Sequence, residues 1–162
     1  MRHTDPSFGD FKCARCQTSV SAARQLSGVN NRNHCPFCLW SRHLDLYAAG
    51  DRLSACKAPM QPIALTMKHN RNKYGFGRGE LMLVHMCVGC GKLSINRAAA
   101  DDDEQTLLSV FADSFALSAQ TRDLLRINQI IALEAVNLPL VQTQLFGEGA
   151  DLRVAQATGA VK

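Results

Sequence analysis

Arg32-Asn-His-Cys35-Pro-Phe-Cys38-Leu-Trp-Ser-Arg-His43 holds two cysteines separated by two residues, with a histidine five places after the second. The same cysteine spacing recurs upstream in Cys13-Ala-Arg-Cys16 and downstream in Cys87-Val-Gly-Cys90, and a seventh cysteine, Cys56, stands alone. A C-x-x-C turn lets backbone amides point back at sulfur and directs two thiolates at one ion. A tetrahedral metal then needs two further ligands from elsewhere. The odd count and the polar start, Met1-Arg-His-Thr-Asp-Pro-Ser7, argue against a secreted disulfide scaffold. A thioredoxin-like redox role needs one such pair in a βαβ setting, which the pattern lacks. Zinc bound by thiolates in a reducing cytoplasm is the expectation.

Ligand arithmetic favours two closed sites per chain, built from Cys13, Cys16, Cys35, Cys38, Cys56, Cys87, Cys90 and one histidine. His43 is the first choice because C-x2-C-x4-H is a knuckle spacing, and His85, two residues before Cys87, is the alternate. His34 directly precedes a ligand, so its side chain should point away from that metal. Spacing leaves the pairing open. A sequential arrangement groups Cys13, Cys16, Cys35 and Cys38, with His43, Cys56, Cys87 and Cys90 on the second ion. A nested one joins the first and third pairs and leaves Cys35, Cys38, His43 and Cys56 together. Two filled sites leave no open position for a catalytic water.

Charge divides the chain. Residues 1–100 hold 14 Lys and Arg against 5 Asp and Glu, whereas residues 101–162 hold 4 against 9. A basic half favours an anionic partner. The longest apolar run, near Leu81 to Val88, is far too short to cross a membrane. Along the chain, Ile63–Lys68 and Leu81–Met86 predict a hairpin whose tip is the basic, glycine-rich loop His69–Gly79, with Pro59 and Pro62 breaking up the stretch before it. After Arg97, helical periodicity predicts helices over about 103–117 and 120–136, the second closed by Pro139. Their apolar faces should pack on the metal module or on each other. The domain reading is a flexible N-terminus over 1–10, a metal module over 11–100, a helical hairpin over 101–139 and a flexible tail over 140–162.

The stretch Arg32-Asn-His-Cys-Pro36 resembles the signature of the bacterial RNHCP domain family. The resemblance extends to Phe11–Cys16, Gly50-Asp-Arg52 with Cys56 and Met60, His85–Gly91, Asn96-Arg97 and the acids from Asp101, and covers about residues 11–103. It implies a small zinc-binding protein and no established activity.

The fold expected is α+β, a small zinc-ribbon-like β-rich module with zinc knuckles plus a C-terminal helical hairpin. The function expected is non-catalytic binding of RNA or a ribonucleoprotein. Lys68, Arg71, Lys73 and Arg78 would neutralise phosphates, and Tyr74 and Phe76 would stack on unpaired bases. Arg15, Arg24, Arg32, Arg42, Arg52 and Arg97 would widen that surface. RNA is preferred to duplex DNA because no recognition helix is evident. Two competitors remain: an adaptor that binds a protein through residues 104–136, and a metal-dependent nuclease using His34, His43, Asp45, Asp51 or His85.

Overall fold

The computed structural model describes residues 9–69 and 79–147. Two antiparallel sheets form. Strands β1 (Phe11–Lys12) and β2 (Ser19–Val20) pair with each other, and a short helix α1 (Arg24–Ser27) follows. Strands β3 (Ser41–Arg42), β4 (Pro59–Lys68), β5 (Glu80–Cys87) and β6 (Leu93–Arg97) make the second sheet in that order.

The hairpin expected from the apolar runs is β4–β5, with Leu65 opposite Leu83 and Met67 opposite Leu81. Its first strand starts earlier than expected, because both prolines are accommodated. Pro59 opens the strand, and Pro62 sits where the register shifts before Ala64. A bulge spares a proline the ladder hydrogen bond it cannot donate. Strand β6 is an addition to the sequence reading; Leu93, Ser94 and Ile95 pair with Met86, His85 and Val84.

Helix α2 (Glu104–Asp113) starts where the acids predict, with the Asp103 carboxylate accepting the Thr106 amide at 2.8 Å. Leu107, Val110 and Phe111 pack on Leu65, Leu81 and Leu83. Phe111 also meets Phe115 edge to face at 4.9 Å in the 3-10 turn Ser114–Ala116 that follows. Helix α3 (Ala119–Ile127) sits on the opposite face, where Leu125 meets Ile63, Ala64, Val84 and Leu93.

The second helix is shorter than the expected 120–136. Gln129 adopts a left-handed φ of 58°, and the chain continues extended along the outer half of β4. There the Leu133 amide donates to Leu65 O at 2.8 Å, and Thr66 Oγ1 donates to Ile131 O at 2.6 Å. Ile131 continues the helical spacing of Leu124 and Ile127, but the apolar residues Ile130 to Leu133 serve to cover a strand edge.

Pro139 starts a helix rather than closing one. It lies in the first turn of α4 (Leu138–Phe146), where a proline lacks nothing the helix needs. The tail expected from residue 140 therefore does not begin there; Val141 is fully buried beside Leu65 and Leu107. The helices rest on the sheet, α2 and α4 on one face and α3 on the other. The boundary at 100/101 divides side chains that share a core. At the N-terminus, Asp10 is held by Ser21 Oγ and the Ala22 amide, while residues 1–8 lie outside the described residues.

Candidate metal centres

The three C-x-x-C turns are superposable in their hydrogen bonding. In each, the amide of the first cysteine donates to the carbonyl five residues on: Cys13 to Thr18, Cys35 to Trp40 and Cys87 to Lys92, at 2.9, 3.0 and 2.9 Å. The residue after the second cysteine closes the turn by donating to the first cysteine's carbonyl, from Gln17, Leu39 and Gly91 at 2.9, 2.8 and 2.9 Å. These three residues have φ of 63°, 60° and 74°. Left-handed backbone costs a non-glycine residue about 1 kcal/mol or more, so two knuckles carry a strain that ligation at their cysteines can hold in place.

These turns converge on two clusters. One holds Cys13, Cys16, Cys35 and Cys38; the other holds His43, Cys56, Cys87 and Cys90. Within each, the four donor atoms lie within 4.8 Å of one another. The sequential grouping is therefore the one the fold adopts, with His43 rather than His85 as the eighth donor. Cys13 and Cys38 sulfurs are 3.6 Å apart, Cys16 and Cys35 3.5 Å, and Cys56 and Cys87 3.6 Å. Zinc with bonds of about 2.3 Å to sulfur makes a tetrahedron with edges of roughly 3.8 Å, whereas a disulfide is about 2.0 Å. His43 Nδ1 faces Cys90 Sγ at 3.3 Å. The clusters are positioned to bind two zinc ions, one through four sulfurs and one through three sulfurs and a nitrogen.

The thiols differ in acidity. Hydrogen bonds with Thr18 bring Cys16 down to about 6, whereas burial pushes Cys35 and Cys38 up. Burial also opposes ionisation of Cys87, yet the backbone amides of Cys90 and Gly89 carry it down to about 6. Four sulfurs so close cannot all ionise without a cation between them. With four protein donors at each site, a tetrahedral zinc has no position left for water. That is the chemistry of a structural, non-catalytic module.

The second site depends on the hairpin. The His43 amide donates to Ala58 O, and Val88 N donates to Pro59 O, so β4's start holds the histidine and the third knuckle together. Gly89 leaves the space that this requires. A Cβ there would stand 2.9 Å from Ala58 Cβ and 3.4 Å from Cys56 Sγ.

His34 and His85 do other work. His34 is buried and turned away from the metal, as its place beside Cys35 predicts, with Nε2 2.9 Å from Asp102 Oδ2. Asp102 also accepts the Ala99 amide at 2.7 Å. Arg32, equally buried, donates to Asp101 at 2.7 Å and to the His34 carbonyl at 3.2 Å. Burial and the neighbouring His34 ring pull His85 down to about 3, so it is neutral. Its Nε2–H donates to Leu39 O at 2.7 Å while Nδ1 accepts from Asn96 Nδ2 at 2.9 Å. Asn96 Oδ1 in turn accepts from Asn33 at 3.1 Å. Arg32, Asn33 and His34 are thus the polar links that fasten the second knuckle to β6 and the loop before α2, and His85 fastens it to β5 through the Leu39 carbonyl. Pro36 and Phe37 extend that stitching through their carbonyls, which accept Asp103 N and Thr106 Oγ1. Sequence reasoning left the Asp102 and Asn96 links unassigned; the run Asp101-Asp102-Asp103 reads only as a helix start.

The other candidate catalytic carboxylates are occupied too. Asp51 accepts amides of Leu46, Tyr47, Ala48 and Leu53, and Asp45 accepts those of Gly50 and Arg52. Of the arginines expected to widen a basic surface, Arg32 is buried against Asp101, Arg97 pairs with Glu80 at 2.8 Å and Arg52 with Asp45 at 3.7 Å. Arg71, Lys73, Tyr74, Phe76 and Arg78 lie outside the described residues; Lys68 closes β4, exposed.

A family model for the RNHCP domain matches residues 8–108. No curated protein and no solved structure matches the chain.

Proposed function

The chain belongs to the RNHCP domain family, and we propose that this member uses its zinc-stapled, non-catalytic module to bind RNA or a ribonucleoprotein in the cytoplasm. The observation that carries the reading is a set of uncompensated cations on a module whose metal sites are closed. Lys12, Arg15, Arg24, Arg42, Lys57 and Lys68 meet no carboxylate within ion-pair distance among the described residues. The sequence between β4 and β5 adds three basic residues, Arg71, Lys73 and Arg78. A polyanion satisfies such a surface, and seven cysteines grouped as metal ligands without a disulfide suit a reducing compartment.

The test is a salt titration of RNA binding by the zinc-loaded full chain. Each neutralised phosphate releases counterions, so affinity should fall steeply with salt. Replacing Arg71, Lys73 and Arg78 together with Ala should weaken binding and flatten that dependence. Tyr74→Ala and Phe76→Ala should each cost about 1–3 kcal/mol and leave the slope nearly unchanged. A folded protein without salt-sensitive affinity for RNA favours the adaptor reading, which rests on Ile127, Ile131 and Val136, 75%, 81% and 80% exposed on the C-terminal segment. Metal-dependent cleavage of the RNA would favour the nuclease.

A further inference from the structure

A groove of about 320 Å³ lies between the two metal sites, and knuckles of both sites build its walls. Arg15 comes from the first knuckle, Trp40 from the turn after the second, and Val88 from inside the third. Arg42 and Lys12 contribute cations, Pro59 lies along the groove, and no carboxylate lines it. Trp40 is the chain's single tryptophan and is half-buried here. Its indole N–H meets no acceptor among the described residues, and the exposed Arg15 guanidinium stands 4.7 Å over its ring.

We infer that this groove binds an unpaired nucleic-acid strand, with one base stacked on Trp40 and the flanking phosphates held by Lys12, Arg15 and Arg42. This rests on the reading of the protein as an RNA binder and names the face it uses. An exposed cation–π pair is weaker than stacking of a base on an aromatic ring. An entering base therefore displaces Arg15 from the ring and leaves its charge free for a phosphate. No helix lines the groove, so it offers nothing to enter a major groove and read a duplex by its base edges. Backbone hydrogen bonds at all three knuckles fix its walls, so little ordering is required on binding.

The single tryptophan gives a direct readout. Short oligouridine, the same-length oligothymidine and a blunt RNA duplex are titrated into the zinc-loaded full chain while Trp40 emission and affinity are followed. Oligouridine should quench Trp40, and the duplex should bind more weakly. Trp40→Ala should lower affinity roughly 5- to 150-fold, the loss of one stacked base, and Trp40→Phe should restore most of it. Arg42→Ala should reduce the log–log salt slope by about 0.7, one phosphate on a single strand. Equal affinity for oligothymidine retains the groove but removes the preference for RNA. Salt-sensitive RNA binding with unchanged Trp40 emission, and with Trp40→Ala and Arg42→Ala both neutral, overturns the groove while leaving the RNA reading intact. Absence of salt-sensitive binding to every probe overturns both. Zinc content measured on each variant separates lost contacts from lost folding.

Discussion

His43 supplies the only nitrogen donor to the second cluster, with Nδ1 toward Cys90. His43→Ala should therefore lower zinc content after dialysis from two per chain toward one. His34→Ala should leave both ions in place but cost about 1–3 kcal/mol of stability, because buried Asp102 loses a partner. Loss of zinc with His34→Ala, or its retention with His43→Ala, contradicts the assignment. The two glycines of the third knuckle separate space from backbone conformation. Gly89→Ala drives a methyl toward Ala58 and Cys56 and should weaken second-site zinc in a chelator competition. Gly91 faces open space at φ 74°, so Gly91→Ala should cost only about 1 kcal/mol, measured by denaturant unfolding. These ligands were legible in the sequence because C-x-x-C spacing fixes its own turn within a few bonds. How the turns combine was not. It depends on β4 and β5 pairing Met60 with Cys87, which carries the third knuckle to the chain around Cys56.

At the scale of elements, the hairpin was readable because β4 and β5 are apolar on both faces and covered on both. The helical region misled for a related reason. Leu124, Ile127 and Ile131 are spaced as a helix would space them, but the free edge of β4 competes for the backbone after Ile127 and wins through Leu133 N to Leu65 O. Leu133→Ala should cost about 2–4 kcal/mol, since the side chain is 7% exposed and packs against Val141 and Leu65. The loop between β3 and β4 is organised instead by one carboxylate. The amides of Ala48, Leu53, Leu46 and Tyr47 hold Asp51 well below the usual carboxylate range. A folded value below the free value of 3.8 means the contribution is complete at neutral pH. It is lost progressively as the pH falls below the free value and is gone once the pH has passed down through the folded one. Asp51→Asn should accordingly speed amide exchange at 46–48 and 53 at neutral pH, where the Asp51 carboxylate accepts those amides.

Across the whole molecule, two kinds of cohesion divide the work. Around the first site the buried cluster is Val20 with Cys13 and Cys35, too little apolar surface to hold β1 and β2 without ligation. The sheet β4–β6 and helices α2–α4 share larger apolar clusters on both faces. Graded chelation followed by amide exchange should release residues 11–42 first, and protection in α2 should fall together with that in β4. Helices that outlast β4 would restore the picture of an independent hairpin. The signature Arg32–Pro36 joins these regions, and the family match, which ends at residue 108 inside α2, includes both sides of that junction. Its polar residues face Asp101, Asp102 and Asn96, partners more than sixty positions away that no local pattern identifies. The central claim is that seven thiolates and His43 complete two tetrahedral sites. Elemental analysis of the purified full chain tests it most directly: two zinc ions per chain are expected, and one or none would contradict the account.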